Sequence, residues 1–206
     1  MHARTVTTDA RIEALEPGLA WVRDEVLPTV MAMPGCIGMS MVVDRPSGRC
    51  IGTTSWESEE AMHDSVELVM PIRRRGTDLL GGPPQIEEWE IALMHRNHRA
   101  GRATCVRATW FEGEPGSIDR MVDVYKARAL PDLEQYDGFS SVSLLVHHAA
   151  GRGLATVAHD SPEARARMTD RCEGLEARLA KEMGAQVADV RDFDLAMAHL
   201  HVPELA

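Results

Sequence analysis

With 206 residues, 44% of them apolar, the chain can fill the core of one large domain or of two small ones. Its 32 acidic residues against 22 basic ones leave a formal charge of −10, a field that repels phosphate backbones and anionic lipid and so predicts neither a nucleic-acid partner nor a membrane surface. The amino-terminal "MHARTVTTDARIEALEPG" lacks the basic-then-apolar pattern of a targeting segment, and no stretch approaches the ~20 apolar residues that span a bilayer. Four cysteines, Cys36, Cys50, Cys105 and Cys172, have no CxxC spacing, so neither a zinc knuckle nor a disulfide framework is expected, and a reducing cytoplasm is the expected location.

In chain order, "ARTVTT" alternates weakly and reads as a first strand. Ile12, Leu15, Leu19, Val22 and Val26 then recur at helical spacing, and Pro28 falls near the end of that helix. "CIGMSMVV" and "RCIGTTSW", joined by "DRPSG", read as a β-hairpin centred on Pro46 and Ser47. Ser58 and the acidic residues after it start a helix that runs to about Leu80, with Pro71 expected to kink or break it and Ala61, Ser65, Leu68 and Ile72 as a stripe. "QIEEWEIALM" closes the series as a strand, and the basic, glycine-containing "HRNHRAGR" (95–102) reads as a linker.

The order then begins again. "TCVRATWF" is a strand, and Ile118, Val122, Tyr125 and Ala129 mark a helix with Pro131 near its end. "FSSVSLLV" and "RGLATVAH" form a hairpin around "HHAAG". Ser161-Pro162-Glu163 is a capped helix start with a carboxylate at the positive end of the dipole, and that helix runs to about Met183 before "QVADVRDFDLAMAHL" closes the series. Pro28 and Pro131 lie 103 positions apart, and the same offset relates Gly35 to Gly138, Ser40 to Ser143, Gly48 to Gly151, Thr53 to Thr156 and Ser58 to Ser161. So many coincidences at one ungapped offset predict a duplicated βαββαβ unit, spanning 1–98 and 99–206. Each unit makes one antiparallel sheet with both helices on one face. Two such units can cover their bare faces sheet against sheet, which predicts a single-chain pseudo-dimer and leaves further association as a homodimer open.

The stretch "PGCIGMSMVVDRPSGRCIGTTSWESEEAM" (34–62) resembles the core of the antibiotic biosynthesis monooxygenase family, in which Pro-Gly precedes a hairpin, the turn is Asp-x-x-x-Gly, and the strand ends in Trp-Glu-Ser-x-Glu-Ala. The second half keeps the spacing but reads "AHDSPEARA", with His159 in place of Trp56 and Asp160 in place of Glu57. The resemblance implies an α+β fold, two ferredoxin-like βαββαβ units forming a dimeric α+β barrel-type pseudo-dimer. It implies a cofactor-independent monooxygenase-like protein that binds a hydrophobic aromatic small molecule. A non-catalytic ligand-binding or stress-response module of the same fold is the alternative, and a haem-binding or haem-degrading protein the third reading.

Against that pattern the departures are informative. Polyketide oxygenases of the family carry an Asn four residues before the Trp and a Tyr six after it, where this chain has Gly52 and Met62. The haem-degrading members carry an Asn on the first strand and a His nine or ten residues past the Trp, where this chain has no Asn and has Ser65 and Val66.

Cofactor-free oxygenation needs an electron-rich anion, a group that takes its proton or meets its charge, and a dry pocket. Trp56 can wall such a pocket and donate its indole N–H, or it can be a core residue; on the expected register it shares a sheet face with Ile37, Met39, Met41, Cys50 and Thr54. Trp56 and His159 are the candidate catalytic residues, and Met39, Met41, Thr54, Met62, Arg73 and Arg74 the candidate substrate contacts, with one arginine reaching an anionic group at the mouth. For each there is a plainer reading: a hydrogen-bonded core histidine for His159, and a solvated helix end for the Arg73–Arg75 run. His63, and the histidines at 95, 98, 147, 148, 199 and 201, read as surface residues. No metal and no cofactor is expected, and there is no dinucleotide fingerprint or nucleophile elbow.

Overall fold

The structure is a computed structural model that describes residues 1–98, 101 and 104–205, and for 170–176 the backbone alone. Positions 99, 100 and 102 of the expected linker, and the side chain of Cys172, therefore lie outside the described residues.

The first series runs β1 (His2–Asp9), α1 (Ile12–Trp21), a π-helical turn (Val22–Val26), α2 (Leu27–Met31), β2 (Cys36–Asp44), β3 (Arg49–Trp56), α3 (Glu59–Leu80) and β4 (Gln85–Arg96). The second runs β5 (Cys105–Gly113), α4 (Ile118–Val124), a π-helical turn (Tyr125–Ala129), α5 (Leu130–Glu134), β6 (Phe139–His147), β7 (Arg152–His159), α6 (Pro162–Met183) and β8 (Ala185–Leu200). Elements β2 and β6, β3 and β7, and α3 and α6 begin and end 103 positions apart. The fold is the expected α+β one, ferredoxin-like in each series.

In space the chain forms two compact units, Met1–Trp89 with Asp194–Val202, and Glu90–Phe193 with Pro203–Ala206. In the first, the strands lie in the order β4-β1-β3-β2 and the end of β8 follows β2. β1 and β3 pair from His2↔Trp56 to Asp9↔Arg49, and β2 pairs with β8 from Gly38↔Leu200 to Val43↔Asp194. In the second, the order is β8-β5-β7-β6 and the end of β4 follows β6, pairing from Glu90↔Val146 to Arg96↔Ser141.

Pro28 and Pro131 fall near the ends of their helices as expected, within the last turns. The chain stays helical past Pro28 to Met31, because the π turn ends with the Leu27 N–H on the Val22 carbonyl, which puts Pro28 in the first turn of α2, where no amide hydrogen is required. Pro131 repeats this in the second series. Pro71, by contrast, does not break α3: it and Glu67, whose carbonyl would have received the missing N–H, are both exposed, so that carbonyl is open to solvent. Both long helices start as expected, with Ser58 Oγ accepting the Ala61 N–H at 3.1 Å and Ser161 Oγ the Ala164 N–H at 3.2 Å.

Two expected faces are shifted. The inner stripe of α3 is Met62, Ser65, Val69 and Leu80, while Leu68 is 55% exposed. On the hairpin, Met39↔Thr54, Met41↔Gly52 and Val43↔Cys50 are in register, but a bulge at Ile37 sets Cys36 opposite Trp56 in its place.

Candidate functional site

Between the sheet and the helices of the first unit lies a cavity of about 130 Å³, lined wholly by residues of that unit. The hairpin supplies Met39, Met41, Cys50, Gly52 and Thr54, and β1 supplies Arg4, Val6 and Thr8. Val22, Val26 and Val30 close one side, and Val69, Ile72, Arg73 and Gly76 of α3 another, with Trp21 between the helices. A Cβ added at Gly52 would meet nothing within 4 Å, so the missing side chain is itself part of the hollow. The absent Asn of the family pattern is thus empty volume here.

Four of the eight candidate residues line this cavity: Met39, Met41, Thr54 and Arg73. Trp56 does not. It is wholly buried behind the wall, and its indole N–H donates to Thr54 Oγ1 at 3.0 Å, so it supports a lining residue. Met62 also faces the core, 1% exposed, and its carbonyl accepts from Arg4 and Ser65; Arg74 is exposed on α3 and away from the lining. His159 belongs to the second unit.

Arg4, 2% exposed at mid-strand, is the main polar residue that the sequence reading did not single out. Its guanidinium donates to Glu88 Oε1 through Nε at 2.9 Å and Nη2 at 2.8 Å, to Ser65 Oγ at 2.8 Å and to the Met62 carbonyl at 2.7 Å. Glu88 Oε2 meets His63 Nε2 at 3.0 Å, so His63 is exposed but not idle. Burial pushes the Glu88 carboxyl upward, but the hydrogen bonds and charges of Arg4 and His63 outweigh it and hold the group below its usual range. Arg4 is therefore a compensated cation whose charge is met inside the protein.

Arg73 is different. Half-buried and on the cavity, it forms no ion pair among the described residues. Burial and then the like charge of Arg4 lower its pKa, against the opposing pull of Glu88. Arg75, by contrast, makes a two-pronged pair with Glu25 at 2.5 and 3.0 Å, and its guanidinium carbon lies 5.5 Å over the Trp21 ring. That clamp holds Trp21 against the cavity. The Arg73–Arg75 run thus divides into a cavity cation, an exposed residue and a clamp. No carboxylate or imidazole lines the cavity, and burial, with the charge of Asp9, pushes the Cys50 thiol up to about 11.

At the same offset, four positions of the lining carry larger residues in the second unit, while others, such as Trp21 to Val124 and Val26 to Ala129, carry smaller ones. Thr8 corresponds to Phe111, Val22 to Tyr125, Gly76 to Leu179 and Gly52 to Ala155, and all four of the larger residues are buried in one apolar cluster. Arg107 takes the place of Arg4 and is paired with Asp192 at 3.0 and 3.2 Å, as Arg4 is with Glu88. His159, 1% exposed, has no partner for Nδ1 among the described residues. Burial first, then the charges of Arg107 and Arg165, push its pKa down to about 4 against the pull of Asp192 and Asp160. An arginine at the same offset within two strands whose other charged residues, Asp9 and Glu112, lie near their ends is the signal that could have found the two buried arginines.

Among the described residues no group of three or more His, Cys, Asp or Glu could hold a metal ion, and no helix is long and apolar enough to cross a membrane. His199 and His201 meet each other, Nε2 to Nε2, at 3.0 Å. His95 lies between Glu134 at 2.9 Å and Glu204 at 3.3 Å, and His98 meets Asp160 at 2.6 Å.

Uncharacterized protein Rv2557 of Mycobacterium tuberculosis (strain H37Rv) is 47% identical over 205 residues, covering 100% of this chain and 92% of its own. The chain belongs to its family. A second member, Uncharacterized protein Rv2558 of the same strain, is 46% identical over 206 residues, covering 100% of this chain and 87% of its own. No family model matches the sequence. Among solved structures, a candidate monooxygenase of Lactobacillus acidophilus NCFM superposes with a TM-score of 0.72 at 8% identity, covering 97% of this chain and 96% of that one. An anthrone oxidase-like protein does so with a TM-score of 0.69 at 15% identity, covering 100% and 95%. A ferredoxin fold protein related to antibiotic biosynthesis monooxygenases, from Listeria monocytogenes 4b F2365, gives 0.54 at 9% identity over 94% of each chain. At such identities these likenesses establish the shared monooxygenase-type fold and leave the chemistry to the site.

Proposed function

We propose that the chain is a cofactor-independent, monooxygenase-like protein that binds a hydrophobic aromatic small molecule in the cavity of its first unit. The observation that carries this is the apolar hollow around Gly52 with the guanidinium of Arg73, unpaired among the described residues, on its wall. In this reading Met39 and Met41 fit their flexible thioethers to the ring, Thr54 is fixed by Trp56, and Arg73 stabilises the substrate anion. The bound phenolate transfers electrons to dioxygen and, counting the proton it shed, phenol and O₂ become quinone and water, so that no second oxidant is needed. The same reading takes 1–98 and 99–206 as copies of one unit, with the first keeping the site and the second filled in by Phe111, Tyr125 and Leu179.

One observation favours a second reading, a non-catalytic binding module: no lining group has a pKa suited to taking a proton near neutrality. The oxygenase reading therefore requires a substrate that arrives already ionised. Haem has no support, since a porphyrin exceeds the cavity several-fold and no histidine lines it.

Dissolved-oxygen uptake by the metal-free protein with a panel of single-ring phenols and hydroquinones decides between the two. Saturable uptake that falls tenfold or more in Gly52→Leu, about 1.4 kcal/mol of transition-state stabilisation, supports the oxygenase. Background uptake with saturable binding supports the module.

A further inference from the structure

We propose that the ligand of this cavity is a small aromatic monoanion, a single-ring carboxylate or phenolate, with its charge against Arg73. This rests on the reading that the cavity is a ligand site and goes beyond it by fixing size and charge.

Size comes first. Ligand pockets commonly run from about 300 to 1,000 Å³, whereas an apolar cavity of ~150 Å³ holds one benzene ring. At about 130 Å³ the hollow matches one ring and excludes two or three fused ones while its walls stay as they are.

Charge follows from the two arginines. Arg4 is held by four hydrogen bonds, two of them to a carboxylate, so it offers an incoming anion nothing that is not already used. Arg73 has neither a hydrogen bond nor an ion pair to its guanidinium among the described residues. A neutral ligand would leave that half-buried charge unmet, and a dianion would leave one negative charge against an apolar wall. Two of the other polar groups are engaged locally: Thr54 Oγ1 accepts from Trp56, and Thr77 Oγ1 donates to the Arg73 carbonyl at 3.0 Å. One ring carrying one negative charge matches the apolar walls and the charge of Arg73.

The test is equilibrium binding of benzoate, 4-nitrophenolate and toluene to the full chain, followed by the fluorescence of Trp21 and by calorimetry, in wild type, Arg73→Met and Gly52→Leu. Circular dichroism confirms that each variant is folded, and the open space at Gly52 makes the larger side chain compatible with the fold. At least one anion is expected to bind tenfold or more tighter than toluene, to lose tenfold or more in Arg73→Met while toluene is unchanged, and to be lost with toluene in Gly52→Leu. Which anion does so separates carboxylate from phenolate. Toluene binding as tightly as both anions, or anion binding indifferent to Arg73→Met, overturns the charge assignment and leaves the cavity as a site. No binding of any of the three overturns the assignment and the cavity reading together.

Discussion

The indole N–H of Trp56 donates to Thr54 Oγ1 at 3.0 Å, and only Thr54 of the two lines the cavity. The tryptophan of the sequence signature thus acts on the site through its neighbour. Trp56→Phe removes that bond and part of a fully buried side chain, and is expected to cost ~1–3 kcal/mol in urea denaturation. Its effect on ligand affinity should be smaller than that of Gly52→Leu, which occupies the hollow itself; the reverse order would make Trp56 a direct contact.

Breaking the Arg4–Glu88 pair leaves a buried cation unmet. Glu88→Ala is expected to destabilise by ~2–4 kcal/mol, and Asp192→Ala in the second unit similarly, read as shifts in denaturation midpoint. The pKa of Glu88 is lowered in the fold, so its contribution is complete above the unfolded carboxylate pKa and is lost as pH falls through the folded value. An unchanged midpoint in Glu88→Ala would mean that water replaces the carboxylate.

Much of this architecture was legible in the sequence. Alternation, turn residues and the capping serines located the hairpins and long helices, because those signals act locally. Pro71 misled, since an exposed carbonyl accommodates proline inside the helix, and that exposure is not readable from the residues next to it. The site was legible only in part. Met39, Met41 and Thr54 follow from strand alternation, and Arg73 from its place on the helix. Arg4 required knowing that β4 lies beside β1, and Trp21 that Arg75 of α3 stacks on α1, both matters of distant pairing.

His159 gives a pH dependence of definite sign. Its pKa is about 4 in the fold against 6.5 for the free group, so below 6.5 the unfolded chain takes up a proton that the folded one refuses. Stability should fall as pH drops from about 6.5 to about 4 and level off below, by an amount on the order of 3 kcal/mol. Compared with wild type, His159→Phe should lack this component of the slope in denaturation series across that window. An identical slope would place the ring in contact with water or a carboxylate.

The tight approach of the Pro34-Gly35 and Asp137-Gly138 turns to the long helices is also testable. Gly35 has φ 73 and a Cβ there would lie 2.5 Å from Ala61 Cβ; Gly138 has φ 89 and would meet Ala164 Cβ at 2.6 Å. Alanine at either position is expected to cost ~1–3 kcal/mol by strain and displacement of the long helix. A large difference between the two would show that the units do not hold this turn alike.

The measurement that bears most directly on the central claim is a titration of protein labelled with ¹³C at the methionine methyls, using benzoate as the probe. Met39 and Met41 line the first unit's cavity, whereas Met121, Met168 and Met183 are packed in the second unit's core. Saturable shifts of the Met39 and Met41 methyls, with those three unmoved, are the expected result. Shifts confined to the second unit, or none at saturating probe, would contradict the assignment of the site to the hollow beside Gly52.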